Sequence, residues 1–465
     1  MKKAFILLFL FFLTENTIGQ TVLNRFPIEL QKSSEFFQIS NAANANKEYF
    51  TFISDKEKLT VLKYNSALFF ADSISIPRPE RKFEFIAGVT FDAAGEPNVF
   101  WSTSNYETLR MIHFDFKNRT TSDLIYTNNF ARKKIIDVIV AENRFTILSI
   151  TPENTLKFTT FSNVGKADTI LSLDALKPET SALKTDTLIN AILDQGLTVI
   201  HPKQFTPLYI GTAKTKRYLI ENQYIISFDL ENETALLTVD LRDFSAKINT
   251  FPYEKTAVES GSNSFMHEQT LYQIAINNQE LVLTGTSIGT KNRIGKFSVD
   301  AKKEIDFKNS PLLLQSENGK VREFKNTAKF LQKINPDQVG LSIYATPHYN
   351  LFTIGGVREV ASGSDLALGL GLGIGGILAG SDIFLGNDYM TSNTQSLYFE
   401  SFFDTDFKQV KEPFRPLYID ALGDFLSVNR PVVQNLFVYQ DYLILNYYDI
   451  KTKAFVMRKF EDIRD

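Results

Sequence analysis

The sequence predicts an all-β fold, a β-propeller of seven blades, on three observations. The first is an aromatic load of 41 phenylalanines, 18 tyrosines and one tryptophan in 465 residues, residue types that suit pleated, half-buried surfaces. The second is period-two alternation of apolar and polar residues broken by polar turns, which is the signal of hairpins. The third is recurrence of that hairpin unit down the chain, close to the roughly 40 to 50 residues of a propeller blade. Six and eight blades are the neighbouring counts. Tandem β-sandwich domains, which also show strands at regular spacing, are the alternative.

The elements follow in chain order. MKKAFILLFLFFLTENTIGQ places Lys2 and Lys3 before an apolar run from Ala4 to Leu13 and ends in small and polar residues, the layout of a secretory signal peptide over residues 1–20. The run is shorter than the about 20 residues a membrane span requires, so an exported chain, periplasmic or extracellular, is expected. The sequence contains no cysteine, so an oxidising compartment would have to be met with a packed core and no disulfides. Residues 21–465 then read as a single propeller domain.

YFTFISDKEKLTVLKYN from Tyr49 is the first hairpin unit, and similar units begin at Asn98, Arg144, Tyr224, Glu280 and Tyr442. Additional strands precede several of them: FEFIAGVTF, KIIDVIVAE, TLYQIAINN and VVQNLFVYQ. Before Tyr49, EFFQIS from Glu35 offers an outer strand to close the ring with the last blade. The wide gap between Arg144 and Tyr224 implies an insertion over 173–207, with TDTLINAILDQG as a short helix ending at Gly196. Between Glu280 and Tyr442 a sixth unit is split. GLSIYATPHYNLFTIGGVREV gives its first two strands and QSLYFESFFDTDFKQV its third with a continuation, separated by a second insertion over 361–394. With its leader and repeat pattern, the chain resembles uncharacterised secreted bacterial β-propeller-like proteins.

The second insertion contains LALGLGLGIGGILAG, uncharged, with six glycines in fifteen residues. As a strand it places Leu366, Leu368, Leu370, Leu372 and Ile374 on one side, with Gly375-Gly376 as the turn of a hairpin. As a helix it would carry several glycines, each costing about 1 kcal/mol relative to alanine. A mobile lid is the third reading. An uncharged arm of this kind needs a cover, which makes Leu368, Leu370, Leu372, Ile374, Ile377 and Phe384 candidate partner-binding residues.

Catalytic signatures are sparse. Gly371, Gly373 and Gly376 match G-x-G-x-x-G, but no strand and helix flank them as dinucleotide binding requires, so no nucleotide is expected. His113, His201, His267 and His348 stand apart at no metal-ligand spacing, so no metal and no cofactor are expected. Fifty basic against 53 acidic residues, interleaved along the chain, give no field that would gather nucleic acid. Were the protein an enzyme, Asp382, Asp388, Asp404 and Asp406 would be the paired carboxylates of a carbohydrate-active hydrolase or lyase; alternatively such residues solvate turns, as carboxylates at Asp55 and Asp229 would. The expectation is a non-enzymatic binding protein that engages a protein or cell-surface partner through the arm, with contact to a membrane surface as a further possibility.

Overall fold

A computed structural model of the protein describes residues 20–30, 37–128, 134–141, 143–162, 165–176, 183–254, 256, 258–316, 321–334, 336–359, 394–429 and 431–462. Residues 1–19, where the leader is expected, lie outside these, as do 360–393.

The described residues form seven sheets in succession, antiparallel but for one parallel pair in the fourth. Strand β1 (Gln20–Pro27) comes first. The first sheet is β2 (Gln38–Ala43), β3 (Tyr49–Ser54), β4 (Lys58–Tyr64) and β5 (Phe70–Pro77). The second is β6 (Phe85–Phe91), β7 (Pro97–Ser102), β8 (Thr108–Asp115) and β9 (Thr120–Thr127), and the third β10 (Lys134–Ala141), β11 (Arg144–Ile150), β12 (Leu156–Ser162) and β13 (Gly165–Leu171). Helix α1 (Thr185–Gln195) leads into the fourth: β14 (Thr198–Ile200), then after α2 (Leu208–Gly211) β15 (Thr215–Ile220), β16 (Gln223–Asp229), β17 (Glu233–Asp240) and β18 (Ala246–Pro252). The fifth is β19 (Gly261–His267), β20 (Thr270–Ile276), β21 (Glu280–Ser287) and β22 (Arg293–Asp300). The sixth holds β23 (Leu313–Ser316), β24 (Val321–Glu323) and, after α3 (Thr327–Leu331), β25 (Val339–Ala345), β26 (Asn350–Glu359) and β27 (Thr394–Phe403). Helix α4 (Tyr418–Asn429) precedes β28 (Gln434–Tyr439), β29 (Tyr442–Asp449) and β30 (Ala454–Phe460), and β1 adds to β30 to complete the seventh sheet.

The first, second, third and fifth sheets are local meanders and the other three are built on a meander of three or four consecutive strands, whereas a sandwich needs Greek-key crossings between two sheets. The chain is therefore the expected β-propeller. The second and third strands of a sheet are covered on both faces, which is why they read as near-continuous apolar runs; every residue of β3 and of β7 is buried. Fourth strands lie at the edge and alternate or turn polar, as in β9, where only Tyr126 is buried.

Two compact units divide the described residues, one running to Arg78 and resuming at Arg415, the other from Pro79 to Phe414. In the first, the first and seventh sheets share a core that includes Tyr49, Tyr64, Ile444, Phe455 and Met457. Asn41 on β2 joins Asn435 on β28 by a side-chain hydrogen bond, and the Tyr439 hydroxyl donates to the carbonyls of Lys47 (2.7 Å) and Ser66 (2.9 Å). In the second unit, Ala87, Phe100, Phe145 and Ile147 pack the second sheet on the third. Leu148, Phe158, Tyr224 and Leu237 pack the third on the fourth with α1, and a larger cluster joins the fourth, fifth and sixth.

Three expectations are corrected and a fourth is extended. The closing strand is β1, paired from Gln20↔Phe460 to Pro27↔Ala454; the segment around EFFQIS instead leads into β2, the innermost strand of the first sheet. The unit from Glu280 is offset by one strand, since β21 and β22 are the third and fourth strands of their sheet and β19 is the first. In the sixth sheet, the continuation after Phe403 is a turn with a single bridge, Phe403↔Gln409; the fourth position is filled from upstream by β23, which pairs Leu313↔Tyr398 through Ser316↔Gln395. The insertion over 173–207 contains the expected helix, α1, with Gly196 beyond its end at φ 72°, and in addition supplies β14, which lies parallel to β15.

Candidate functional site

The site is built on the face that the fourth sheet turns towards the fifth. Side chains alternate across a strand, so Gln223 and Ile225 of β16, Leu236 and Thr238 of β17, and Lys247 and Asn249 of β18 share that face, while Tyr224, Ile226 and Leu237 look to the third sheet. Deeper in, the face is packed, with Tyr218 and Phe265 meeting edge-on at 6.0 Å between ring centres. Towards the turns that join β15 to β16 and β19 to β20 it opens into a cleft of about 580 Å³, within the usual range of ligand sites.

Ile225, Leu236 and Met266 floor the cleft and are buried. Thr238 lines it at 8% exposure, and its hydroxyl has no hydrogen-bond partner among the described residues. Glu221 and Glu268 stand in the two inner turns, whereas Lys247 on β18 and Lys291 in the β21–β22 turn stand towards the outer strands. Lys291 Nζ lies 5.5 Å from the centre of the buried Phe251 ring, and desolvation holds its ammonium below the usual lysine range. Glu221, Glu268 and Lys247 take part in no ion pair among the described residues.

A buried polar network ties the same two sheets together. Lys216 Nζ donates to Asp229 Oδ2 at 2.7 Å and to Asn263 Oδ1 at 2.8 Å; Asp229 Oδ1 also accepts from the Tyr253 hydroxyl at 2.7 Å. Asn263 Nδ2 donates to the Thr212 carbonyl at 2.9 Å. Burial draws the Lys216 ammonium below its usual range although Asp229 acts against it. Between the third and fourth sheets, Asp137 accepts from Arg217 Nε (2.7 Å) and Nη2 (3.1 Å) and from the Tyr224 hydroxyl (2.8 Å). Both networks are satisfied internally and hold the sheets in register.

Asp404 and Asp406 lie in the turn that follows β27. Asp404 Oδ1 accepts the backbone N–H groups of Asp406 (3.0 Å) and Lys408 (2.8 Å), closing a turn, and Asp406 is exposed beside Lys408. The turn puts Phe407 at φ 60° and lays its ring on Gly285 and Gly295. Asp55 works as Asp404 does, accepting from Glu57 and Lys58 N–H, while Asp229 belongs to the buried network. Asp382, Asp388, Leu368, Leu370, Leu372, Ile374, Ile377 and Phe384 lie outside the described residues.

His113 bonds Asn98 Oδ1 at 3.1 Å, and His267 is buried, its Nε2 without a hydrogen-bond partner and its pKa pulled down by desolvation. Among the described residues no group of three or more His, Cys, Asp or Glu side chains is placed to hold a metal ion, and no helix is long and apolar enough to cross a membrane. Sequence reasoning missed the cleft. Its walls come from separate strands and turns, none carrying a motif.

No protein-family model and no curated protein matches the chain. Among solved structures it is similar to the WD40 domain of SCAP from fission yeast, at 8% identity over 96% of this chain and 99% of that one, TM-score 0.29. It is also similar to the Dos1 propeller, at 9% identity over 91% and 77%, TM-score 0.29. The Nup133 β-propeller domain of Vanderwaltozyma polyspora is a third, at 13% identity over 62% and 91%, TM-score 0.22. The propeller assignment stands on the strand ladders of this chain.

Proposed function

We propose that this chain is an exported, non-enzymatic binding propeller that presents residues 360–393 to a protein partner. The observation that carries the reading is the stem from which that segment departs. Strands β26 and β27 pair without interruption from Asn350↔Phe403 to Glu359↔Thr394, and Val357, Arg358 and Glu359 run past the last residue paired to β25, Gly356. The segment therefore leaves and rejoins the sheet at one point, and its removal leaves every described strand intact. Uncharged leucine- and glycine-rich sequence is disfavoured in water unless covered, and loops on a rigid scaffold are where binding commonly resides. Export rests on the charged and apolar pattern of residues 1–20.

The test has two parts. Replacing 360–393 by Asn-Gly, a two-residue hairpin turn, should leave a protein that melts as the parent does; loss of folding would show the segment to be core. Photo-crosslinkers at positions 370 and 374 in the producing cell should each trap the same discrete adduct, absent from a control at exposed Lys302. Labelling equal to the control at both sites overturns the reading, and so does a segment that partitions into lipid vesicles without trapping protein.

A further inference from the structure

We infer that the cleft between the fourth and fifth sheets is a binding site for a short peptide with free termini, about three or four residues long, its amino end at Glu221 and Glu268 and its carboxyl end at Lys247 and Lys291. The site is separate from the arm, which departs from the opposite strand ends of its own sheet, so neither proposal depends on the other.

Charge placement is the main argument. Glu221 is in the β15–β16 turn and Glu268 in the β19–β20 turn, while Lys247 is on β18, the outer edge strand of its sheet, and Lys291 is in the turn leading to β22, the outer edge strand of the next. The cleft is thus negative at its inner end and positive at its outer end. Strands lie about 4.8 Å apart, so the two ends are roughly 12 Å from one another. An extended chain covers about 3.3 to 3.6 Å per residue, and three or four residues bridge that separation. A polyanion or polycation would meet like charge at one end. A zwitterion of this length answers both ends.

The middle of the cleft suits a peptide as well. Gln223, Asn249 and Gln269 offer amides, each both donor and acceptor, to the peptide's own N–H and C=O groups. The Thr238 side chain, on a residue 8% exposed, lies between Ile225 and Lys247 of the neighbouring strands, and its hydroxyl has no hydrogen-bond partner among the described residues. A polar group in such a place normally finds a hydrogen bond, and a backbone group of the ligand supplies one. Ile225, Leu236 and Met266 beneath leave an aliphatic floor for a side chain.

The experiment is calorimetric titration of the chain from Gln20 onward with the tripeptide Ala-Leu-Ala, with its N-acetyl, C-amide form, and with a neutral disaccharide. The free-ended tripeptide should bind, and blocking both ends should weaken it about ten-fold or more, the worth of a charge-assisted contact. Glu221→Gln with Glu268→Gln, and separately Lys247→Gln with Lys291→Gln, should each produce a similar loss while melting as the parent does, since all four side chains are exposed. Thr238→Val should weaken binding of free and blocked peptide alike. Equal affinity for the blocked form, binding of the disaccharide alone, indifference to both charge pairs, or no heat up to the solubility of the peptide would each overturn the proposal.

Discussion

Lys216 and Asp229 form an ion pair in which neither side chain retains any exposure to solvent, with Nζ and Oδ2 2.7 Å apart. Asn263, Thr234 and Tyr253 complete the bonding of the two groups. Breaking one partner of such a pair strands the other charge, which costs about 3 to 5 kcal/mol, whereas removing both costs much less. Lys216→Met should therefore lower the unfolding free energy by about that amount, and Lys216→Met with Asp229→Asn should regain more than half of the loss. Denaturant unfolding of the two variants measures both. A double variant no better than the single one would show that the pair is not coupled.

His267 makes stability depend on pH. Burial depresses its pKa below the ordinary 6.5, Glu268 and Asn350 opposing only in part. Below about pH 6.5 the unfolded chain therefore takes up a proton that the folded chain resists, so stability falls on acidification through that window and is unaffected by this group above it. His267→Gln should show a smaller fall in Tm between pH 7.5 and pH 5 than the parent. Parallel Tm profiles would refute the assignment.

Gly295 is a packing position. A Cβ there would lie 2.6 Å from Cδ1 of Phe407, whose ring also stacks among Tyr272, Phe297, Phe352 and Phe403 at centroid distances from 4.8 to 5.7 Å. Gly295→Ala should cost about 1 to 3 kcal/mol through overpacking, and the cost should shrink when Phe407 is Leu. Thermal melts of the single and double variants provide the cycle.

Asp404 distinguishes turn from catalysis. Its Oδ1 is the acceptor that matters, and asparagine retains it. Asp404→Asn should cost well under 1 kcal/mol and Asp404→Ala about 1 to 3 kcal/mol, the value of hydrogen bonds to a charged group. A catalytic carboxylate would show the reverse emphasis, with asparagine abolishing turnover of any glycan the protein cleaves.

The hairpins were legible because paired apolar strands keep their period. YFTFIS and KLTVLKY are read correctly as β3 and β4, and TDTLINAILDQG as α1. Inner strands were less so. GSNSFMH looks like a loop, yet it is β19, and its Asn263 is buried because Lys216 and the carbonyls of Thr212 and Ala213 saturate it. The same holds for QISNAA, where Asn41 bonds Asn435 and Thr51. Long-range polar partners erase the apolar signal on which periodicity depends. The cleft was invisible for a related reason. Glu221, Lys247 and Lys291 look like ordinary turn and edge charges until two sheets bring them to one place.

In the sixth sheet, Ser316 and Gln395 sit on paired strands and are joined side chain to side chain across 79 positions of sequence. As the polypeptide is made, β23 and its hairpin partner β24 exist long before β27, the strand that joins them to the rest of the sheet, and everything from α3 through the stem of the arm must appear in between. Assembly of this sheet thus has a fixed last step. Until β27 arrives, β23 has β24 on one side and an open edge on the other, exposed to pairing with the edge of another molecule. The arm lengthens that interval, and a chain shortened to Asn-Gly at 360–393 should fold with less loss to aggregation, because a shorter loop closes at lower entropic cost.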